Sequence, residues 1–445
     1  MDRRYFGTDG VRGRVGDDPM TVDFALRLAS AAARVLAPDG GRVLIGKDTR
    51  LSGYLFESAL EAGLVAAGVD VLLVGPLPTP AIAVLTTRLS CSFGIVISAS
   101  HNLYEDNGIK FFHADGSKLS DALEERIEAE LEQPVVTRPS TQLGRARRVD
   151  EIRDEYQRFC ASTVPGGLDL TGLKIVIDCA NGAGYKVGPR LLADLGAEVI
   201  PIGCSPNGRN INDGCGSTSP GLLQLTVPGV RAAIGIALDG DGDRLVLVDQ
   251  LGRVVDGDQI LYIIAAARQA RGELHGPVVG TVMSNLGLEQ ALEARGIEFL
   301  RAQVGDRYVL AKLKESGGVI GGETSGHILC LDRTTTGDAL VSALQVLAVM
   351  KAENRGLAEL AAEVPRYPQV LLNVRVPRRF DPQSDAAVRE AVAAVEERLA
   401  GQGRVVLRPS GTEPVIRVMV EGRDERLTRE CAETIAHAVQ AAQPA

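Results

Sequence analysis

The chain has 445 residues, of which 45% are apolar and 4% aromatic, and its formal net charge is −9. This length predicts two to four domains, and the acidic balance argues against nucleic acid as a partner, because nucleic acids are bound by basic surfaces. The first residues lack the apolar stretch typical of a signal peptide, no apolar run has membrane-spanning length, and the seven cysteines include no CxxC pair. We therefore expect a cytoplasmic protein without disulfides, structural zinc or membrane contact.

A short aliphatic strand, a polar glycine-containing turn and an amphipathic helix recur along the first three quarters of the chain. Such strands are predicted at 42–46, 174–178 and 277–282, before turns at 47–50, 179–184 and 283–287. Alternating strands and helices predict parallel sheets, whose ligands bind beyond the carboxyl ends of the strands. We therefore expect α/β domains with a ligand site near these turns.

The last quarter of the chain has a different pattern. Strands at 371–376, 403–407 and 415–420 and helices at 384–399 and 424–441 predict a small unit of helices on a mixed sheet. Segments 133–149 and 363–368 lack periodicity and are predicted to be linkers. The expected fold is three similar α/β domains with mixed or parallel sheets plus a smaller C-terminal α+β domain, at 1–150, 151–253, 254–366 and 367–445.

The most specific pattern is an aspartate-rich turn between the strands predicted at 234–238 and 245–248, with the sequence Asp239-Gly240-Asp241-Gly242-Asp243-Arg244. Glycine lets the turn curl so that three carboxylates converge, and converging carboxylates repel one another unless a cation neutralises them. Oxygen ligands favour Mg²⁺ or Ca²⁺, and Arg244 would add a phosphate ligand. An EF-hand is excluded because Arg244 and Gln250 stand where its glycine and glutamate belong. A solvated acidic turn remains the alternative.

A second candidate is the turn Ser98-Ala99-Ser100-His101-Asn102, which follows the strand predicted at 93–97. A serine hydroxyl becomes a nucleophile only when a base, a metal or local charge activates it. His101 and Lys110 are the nearby candidates. Alone, the pattern is equally typical of an ordinary polar turn.

Two clusters are predicted to hold anions. Arg12 lies in a glycine-rich turn at 6–13, and the tail carries a run of guanidinium groups, hydroxyls and turn amides at Arg408, Ser410, Gly411, Thr412 and Arg417. Arginine forks and turn amides match phosphate oxygens. A serine–glycine turn with surface arginines is the alternative for the tail cluster.

A polar segment at 321–327 offers Glu323, Ser325 and His327 after a strand predicted at 318–320. These groups suit sugar hydroxyls, and His327 is a candidate acid or base as well as a candidate structural histidine. Nucleotide signatures are missing, because Val187 replaces the third glycine of the dinucleotide motif and no GxxxxGK[ST] run occurs.

In their order along the chain, these motifs resemble the α-D-phosphohexomutase superfamily from Phe6 to Arg417. The turns at 6–13 and 280–287 and the run Cys215-Gly216-Ser217-Thr218 are most similar to the bacterial phosphoglucosamine mutases. The resemblance implies four domains around a central cleft and an isomerase that interconverts glucosamine 6-phosphate and glucosamine 1-phosphate. Its product would feed UDP-N-acetylglucosamine and cell-wall synthesis, with glucosamine 1,6-bisphosphate as intermediate.

The resemblance also implies roles for individual residues. Ser100 would be a phosphoserine, and one Mg²⁺ would be held by Asp239, Asp241, Asp243 and the seryl phosphate. Glu323, Ser325 and His327 would contact the sugar, and Arg408, Ser410, Gly411, Thr412 and Arg417 would hold the distal phosphate. The transferring phosphoryl group would be surrounded by Arg12, His101, Lys110 and Arg244. Lys110, if neighbouring cations depress its pKa, is the first candidate base, followed by His101 and His327.

Three positions depart from the family pattern: Leu103 replaces a proline after Ser-His-Asn, Thr324 fills the variable position of Gly-Glu-x-Ser, and Ala339 replaces a glycine. None of them removes a group that does chemistry. The alternatives left open are a phosphomannomutase or phosphoglucomutase with the same mechanism, a phosphatase, and a non-catalytic sugar-phosphate sensor. The expected partner is a small sugar phosphate, and a homodimer is one option for the oligomeric state.

Overall fold

The computed structural model describes residues 4–149, 151–377, 380–409 and 415–442. The first sheet has six strands in the order β1-β5-β4-β2-β3-β6. These are β1 Val11–Arg14, β2 Gly41–Lys47, β3 Val69–Pro76, β4 Phe93–Ile97, β5 Asp106–His113 and β6 Ala146–Arg148. Its helices are α1 Val22–Leu36, α2 Ser52–Ala66, α3 Thr79–Arg88 and α4 Asp121–Glu130. Because β6 pairs in parallel with β3, the prediction of a linker is wrong for 146–148.

The second domain has five strands in the order β11-β10-β9-β7-β8. They are β7 Lys174–Asp178, β8 Glu198–Ile202, β9 Ile234–Leu238, β10 Leu245–Asp249 and β11 Val254–Val255, with helices α5 Ile152–Ser162, α6 Val187–Asp194 and α7 Gly221–Gly229.

The third domain has four strands in the order β13-β12-β14-β15. They are β12 Val278–Thr281, β13 Phe299–Ala302, β14 Ile320–Gly322 and β15 Ile328–Cys330. The helices are α8 Gly257–Ala270, α9 Leu286–Ala294, α10 Asp306–Ser316, α11 Ala339–Glu353 and α12 Leu357–Ala361.

One arrangement recurs in these three domains: a strand that pairs in parallel on one side forms an antiparallel hairpin with the strand that follows it. β4 pairs in this way with β5, β9 with β10, and β14 with β15. The connecting loops are 98–105, 239–244 and 323–327. Since each loop leaves the carboxyl end of a parallel strand, each lies at the edge of its sheet where ligands bind. The mixed sheets confirm the expected fold class.

The fourth domain is a three-stranded sheet in the order β16-β18-β17, with strands β16 Gln369–Arg375, β17 Gly403–Pro409 and β18 Val415–Gly422. Helices α13 Ala386–Leu399 and α14 Glu425–Ala441 accompany it. Its described strands are all antiparallel, so the prediction of a mixed sheet is wrong for this domain.

The first three domains are joined by a shared apolar core, and the fourth domain is not part of it. One large cluster joins the first three domains and includes Leu44, Ile236 and Leu344. The fourth domain has a core of its own, with Val388 and Ile435 at its centre. No described helix is both long and apolar enough to span a membrane.

Candidate active site

The three hairpin loops meet at a cavity of about 390 Å³. As far as the described residues define it, the lining comes from the first three domains. Seven residues predicted from the sequence are part of it: Arg12, Ser100, His101, Asp243, Arg244, Glu323 and His327. A larger cavity of about 600 Å³ near Arg34 and Val136 contains none of the predicted residues, so the chemistry and not the volume locates the site.

Ser100 lies at this cavity with its side chain turned toward the aspartate loop. Its backbone is left-handed, with a φ of 53°, which is a strained conformation for a residue with a side chain. Its hydroxyl donates a hydrogen bond of 2.7 Å to Asp239 Oδ2, and its amide donates to Ser98 Oγ at 2.9 Å. The loop therefore directs the candidate nucleophile at the carboxylate cluster.

Two residues outside the serine loop hold it in this conformation. The buried guanidinium of Arg50 donates to the carbonyl oxygens of Ser100 at 3.0 Å and Asn102 at 2.8 Å. Asn212 Nδ2 donates to the same two oxygens at 2.8 and 2.9 Å. Asp48 neutralises Arg50 at 2.8 Å. The sequence placed 47–50 among the ligand-side turns without assigning these residues. The available signal was an Asp-x-Arg pair directly after a buried strand.

The three aspartates of the 239–244 loop are buried and close enough to share one ion. Their nearest ligand atoms lie within 4.8 Å of one another, and Oδ1 of Asp241 and of Asp243 have no hydrogen-bond partner among the described residues. Burial and the neighbouring carboxylates raise the pKa of Asp239 well above its ordinary value. A divalent cation would reduce the repulsion among the carboxylates and would bind the oxygens that have no partner, so this donor set fits Mg²⁺.

Lys110 lies beneath the cavity, between carboxylates. Its Nζ is 2.8 Å from Asp241 Oδ2 and 2.8 Å from Asp9 Oδ2. Burial alone would lower its pKa, but Asp241 and Asp9 outweigh burial and raise it above the ordinary value. The condition under which Lys110 would serve as a base, a pKa depressed by neighbouring cations, is therefore not met, because carboxylates are its closest charged neighbours. With its pKa raised, Lys110 carries a positive charge.

The two histidines of the cavity have opposite charge states. Burial, Arg244 and Arg12 lower the pKa of His101 to about 4, so its ring is neutral near pH 7, and its Nδ1 lies 3.4 Å from Ser100 Oγ. Burial would also lower the pKa of His327, but Asp243 and then Asp306 raise it to about 9. His101 therefore has a free ring nitrogen near pH 7, but its lowered pKa makes it a weak base, whereas His327 is a cation.

A further set of ion pairs joins the first and third domains at the cavity. Lys118 Nζ lies 2.7 Å from Asp9 Oδ1 and also contacts Asp306, while Asp9 pairs with Arg12. Burial would raise the pKa of Asp9, but Lys110, Lys118 and Arg12 hold it well below its ordinary value. Sequence reasoning assigned no role to Asp9 within the 6–13 turn, and it missed Lys118 and Asp306 because both lie outside the motifs, in separate segments.

The predicted sugar-binding residues are not all at the cavity. Glu323 lines it, half-buried, and its Oε1 accepts a 2.9 Å hydrogen bond from the amide of Gly305. His327 also lines it. Ser325 is exposed and lies outside the lining.

The fourth domain carries its predicted arginines as a pair. Arg408 and Arg417 are directly opposite each other on β17 and β18, and burial and Arg417 lower the pKa of Arg408. Two adjacent guanidinium groups make a candidate anion site. The pair lies outside the cavity lining. Ser410, Gly411 and Thr412, predicted for the same site, fall outside the described residues.

Comparison with protein families gives four consecutive matches. Models described as phosphoglucomutase/phosphomannomutase alpha/beta/alpha domains I, II and III and the C-terminal domain match residues 3–135, 155–252, 256–367 and 371–438. The domain boundaries proposed from the sequence stay a prediction.

Several relatives align with almost the entire chain. The phosphoglucosamine mutase of Thioalkalivibrio sulfidiphilus is 60% identical over 446 residues, covering 99% of this chain and 98% of that protein. The phosphoglucosamine mutase of Alkalilimnicola ehrlichii is 58% identical over 443 residues, covering 99% and 98%.

Solved structures share the fold. A phosphoglucomutase/phosphomannomutase family protein from Burkholderia thailandensis has a TM-score of 0.80 at 24% identity, covering 98% of this chain and 97% of that one. The Aspergillus fumigatus N-acetylphosphoglucosamine mutase, solved in complex with GlcNAc-6P and magnesium, has a TM-score of 0.71 at 19% identity, covering 99% and 96%. Given these matches across all four domains, the chain belongs to the phosphoglucomutase/phosphomannomutase family.

Proposed function

We propose that the protein is a phosphoglucosamine mutase, which interconverts glucosamine 6-phosphate and glucosamine 1-phosphate. The observation that carries the proposal is the meeting of Ser100, Asp243 and two guanidinium groups in one cavity, with Asp239 hydrogen-bonded to Ser100. The high identity to curated phosphoglucosamine mutases supports an amino sugar as the substrate. A cytoplasmic location and a homodimer stay expectations.

Ser100 is the proposed phosphoryl carrier. The bond between Ser100 Oγ and phosphorus breaks as the 1-hydroxyl oxygen of glucosamine 6-phosphate bonds to the same phosphorus. The resulting glucosamine 1,6-bisphosphate turns over in the cleft. Ser100 then takes the 6-phosphoryl group and leaves glucosamine 1-phosphate, so each cycle restores the phosphoserine.

Fixed positive charge is the main contribution of the protein to such a transfer. Arg12 and Arg244 both line the cavity, and the Nε atom of each is buried without a hydrogen-bond partner among the described residues. A buried donor without a partner is costly, and a phosphoryl group in the cavity would provide one. Lys110 adds a third charge beneath them.

The attacking sugar hydroxyl must also lose its proton. The neutral ring of His101 lies beside Ser100, which makes it the best placed acceptor for a hydroxyl attacking there. His327, held as a cation, is suited to donate a proton or hydrogen bond to an oxygen of the substrate.

Asp239, Asp241 and Asp243 would hold Mg²⁺ together with an oxygen of the seryl phosphate. Bound Mg²⁺ neutralises negative charge on phosphoryl oxygens. Independently of the ion, Asp239 orients Ser100 through their 2.7 Å hydrogen bond.

The remaining predicted residues would hold the two ends of the sugar. Glu323, with Ser325, would accept sugar hydroxyls, and Arg408, Ser410, Gly411, Thr412 and Arg417 would hold the phosphate that is not being transferred. Because the arginine pair lies outside the cavity lining, the proposal requires the fourth domain to approach the cavity when substrate binds.

The test combines mass measurement with assays on the 1-phosphates of glucosamine, glucose and mannose. We expect one phosphoryl group on Ser100, fastest turnover of glucosamine 1-phosphate, and loss of both phosphorylation and activity in Ser100→Ala. Ser58→Ala is the matched control, because Ser58 is exposed and its hydroxyl donates to Tyr54 O of its own helix at 3.1 Å.

Other outcomes identify the alternatives. Faster turnover of mannose or glucose 1-phosphate would reassign the substrate within the same mechanism. Inorganic phosphate released in proportion to substrate consumed would indicate a phosphatase, and binding without turnover would indicate a sensor. A fully active Ser100→Ala variant would contradict the phosphoserine mechanism.

A further inference from the structure

Asp258 is a buried carboxylate at the point where helix α8, the turn at 282–286 and the 323–327 loop meet. It lies in the first turn of α8 and is 2% exposed. Its Oδ2 accepts two hydrogen bonds, from the amide of Asn285 at 2.8 Å and from Thr324 Oγ1 at 3.0 Å. Asp258 is not part of the cavity lining, so any effect it has on the site is indirect.

The first neighbour belongs to the turn at 282–286, on which the fourth domain docks. Arg404 of β17 donates to Val282 O at 2.8 Å and also to Ser284 O. Glu421 of β18, fully buried, accepts from the amide of Leu286 at 2.9 Å. The position of this turn therefore sets the position of the fourth domain.

The same turn also holds the chain that enters the fourth domain. The side chain of Asn285 donates to Tyr367 O at 2.9 Å and accepts from the amide of Tyr367 at 3.1 Å. Asn285 thus connects Asp258 to the segment immediately before β16.

The second neighbour belongs to the 323–327 loop, which carries Glu323 at the cavity. The loop is fixed to the start of α8, because the amide of Gly257 donates to Thr324 O at 3.1 Å. A Cβ on Gly257 would lie 2.0 Å from Glu323 O, so the helix and the loop are in direct contact. The hydroxyl of Thr324 is the side-chain link from this loop to Asp258.

We propose that Asp258 is a positioning residue that connects two segments. It binds the 323–327 loop through Thr324, and it binds the turn at 282–286, on which the fourth domain docks, through Asn285. This inference rests on the proposed function, in which Glu323 and the Arg408–Arg417 pair grip opposite ends of one substrate. This link anchors the base of the fourth domain to the 323–327 loop, so the domain approaches the cavity from a defined position. Misplacing a substrate by about 1 Å can cost on the order of a hundredfold in rate.

The test removes only the hydroxyl link. Thr324→Val deletes it and Thr324→Ser keeps it, while Thr434→Val is the control, since Thr434 is exposed and bonds to Glu430 O of its own helix at 2.8 Å. The measurements are kcat and KM for glucosamine 1-phosphate, and hydrogen exchange of the 282–287 amides with and without this substrate.

For Thr324→Val we expect KM to rise about tenfold, the scale of one hydrogen bond to a charged group, with a smaller change in kcat. We also expect the substrate-induced slowing of exchange at 282–287 to be lost. Thr324→Ser and Thr434→Val should behave like the unaltered protein in both measurements.

Two results would overturn the proposal: unchanged KM and exchange in Thr324→Val, or equal losses in Thr324→Val and Thr324→Ser, which would mean that bulk and not the hydroxyl matters. Turnover by the unaltered protein is measured in the same series. If the proposed function is wrong, the unaltered protein does not turn over glucosamine 1-phosphate. If only the link is wrong, turnover is normal and the ratio of KM between Thr324→Val and Thr324→Ser stays near one.

Discussion

Arg50 is a fully buried guanidinium whose hydrogen bonds end on the carbonyl oxygens of the serine loop. Arg50→Ala would leave Asp48 buried without its partner, so we expect a loss of about 3–5 kcal/mol in the free energy of unfolding. Activity should fall with it, because the loop that positions Ser100 loses its support. Denaturant unfolding and the mutase assay check the two effects.

The control for this prediction is Arg27→Ala. Arg27 pairs with Asp23 at 3.5 Å on the exposed face of α1, and exposed pairs contribute less than about 1 kcal/mol. Similar losses in the two variants would contradict the structural role given to Arg50.

Asp258 should make stability depend on pH. Burial and then Asp256 raise its pKa to about 7, above the unfolded value of about 3.9. A carboxyl with a raised pKa stabilises the fold below the unfolded pKa, and this stability, up to about 4 kcal/mol, is lost as pH rises through the folded pKa. From pH 5 to pH 8, the unaltered protein should therefore lose more unfolding free energy than Asp258→Asn.

Unfolding curves at both pH values measure this difference. Asp23→Asn is the control, because Asp23 is exposed and its pKa is lowered, so it does not titrate in this range. Parallel pH profiles for Asp258→Asn and the unaltered protein would show that Asp258 is already ionised at pH 5.

Residues within a motif were predictable, and residues that support the motif were not. Ser100 and Asp239 each follow a buried aliphatic strand, so the sequence alone places them at a sheet edge. Lys118 and Asp306 are 188 residues apart, and only the packing of two domains brings them together. The pKa of Lys110 could not be predicted for the same reason, since it depends on Asp241 and Asp9.

At the scale of elements, strands β4, β7 and β9 have the predicted bounds. Each is a continuous Val/Ile/Leu-rich run that ends at a polar turn, which is the clearest pattern of a buried parallel strand. Two other strands were harder to find. β5, Asp106–His113, begins with polar residues, and β6 has three exposed residues whose place depends on pairing with β3.

Helix α9 of the third domain packs tightly against the segment at 363–368, which leads to the fourth domain. A Cβ on Gly287 would lie 1.6 Å from Pro365 O, a backbone atom. We expect Gly287→Ala to cost at least about 1–3 kcal/mol, because either the helix or the linker must shift. Thermal and denaturant unfolding measure this cost.

Gly221→Ala is the matched control at the start of α7. A Cβ there meets nothing within 4 Å, and alanine is the better helix former by roughly 1 kcal/mol. Gly221→Ala should therefore be neutral or stabilising. If Gly287→Ala left the free energy of unfolding unchanged, the backbone at Pro365 could shift at little cost, and the prediction would be wrong.

For the whole molecule, the buried aspartate triplet predicts that Mg²⁺ stabilises the fold. At a concentration about one hundred times its dissociation constant, a bound ion adds about 2.7 kcal/mol. Chelation should therefore lower the melting temperature and abolish activity, and Asp241→Asn should lose the thermal response. Asp115→Asn, at an exposed turn, should keep it. A melting temperature unaffected by chelator in the unaltered protein would argue against the ion.

The unequal division of the apolar core has a consequence for how the molecule unfolds. Three domains share one continuous cluster, besides a separate cluster within the first domain, whereas the fourth domain has its own cluster and forms hydrogen bonds to the third domain. Units that share a core melt cooperatively, and units joined by polar contacts melt separately. Calorimetry of the full chain should show two transitions, the smaller one from the fourth domain, and a single symmetric transition would contradict this division. The fourth domain can then melt and refold while the other three stay native.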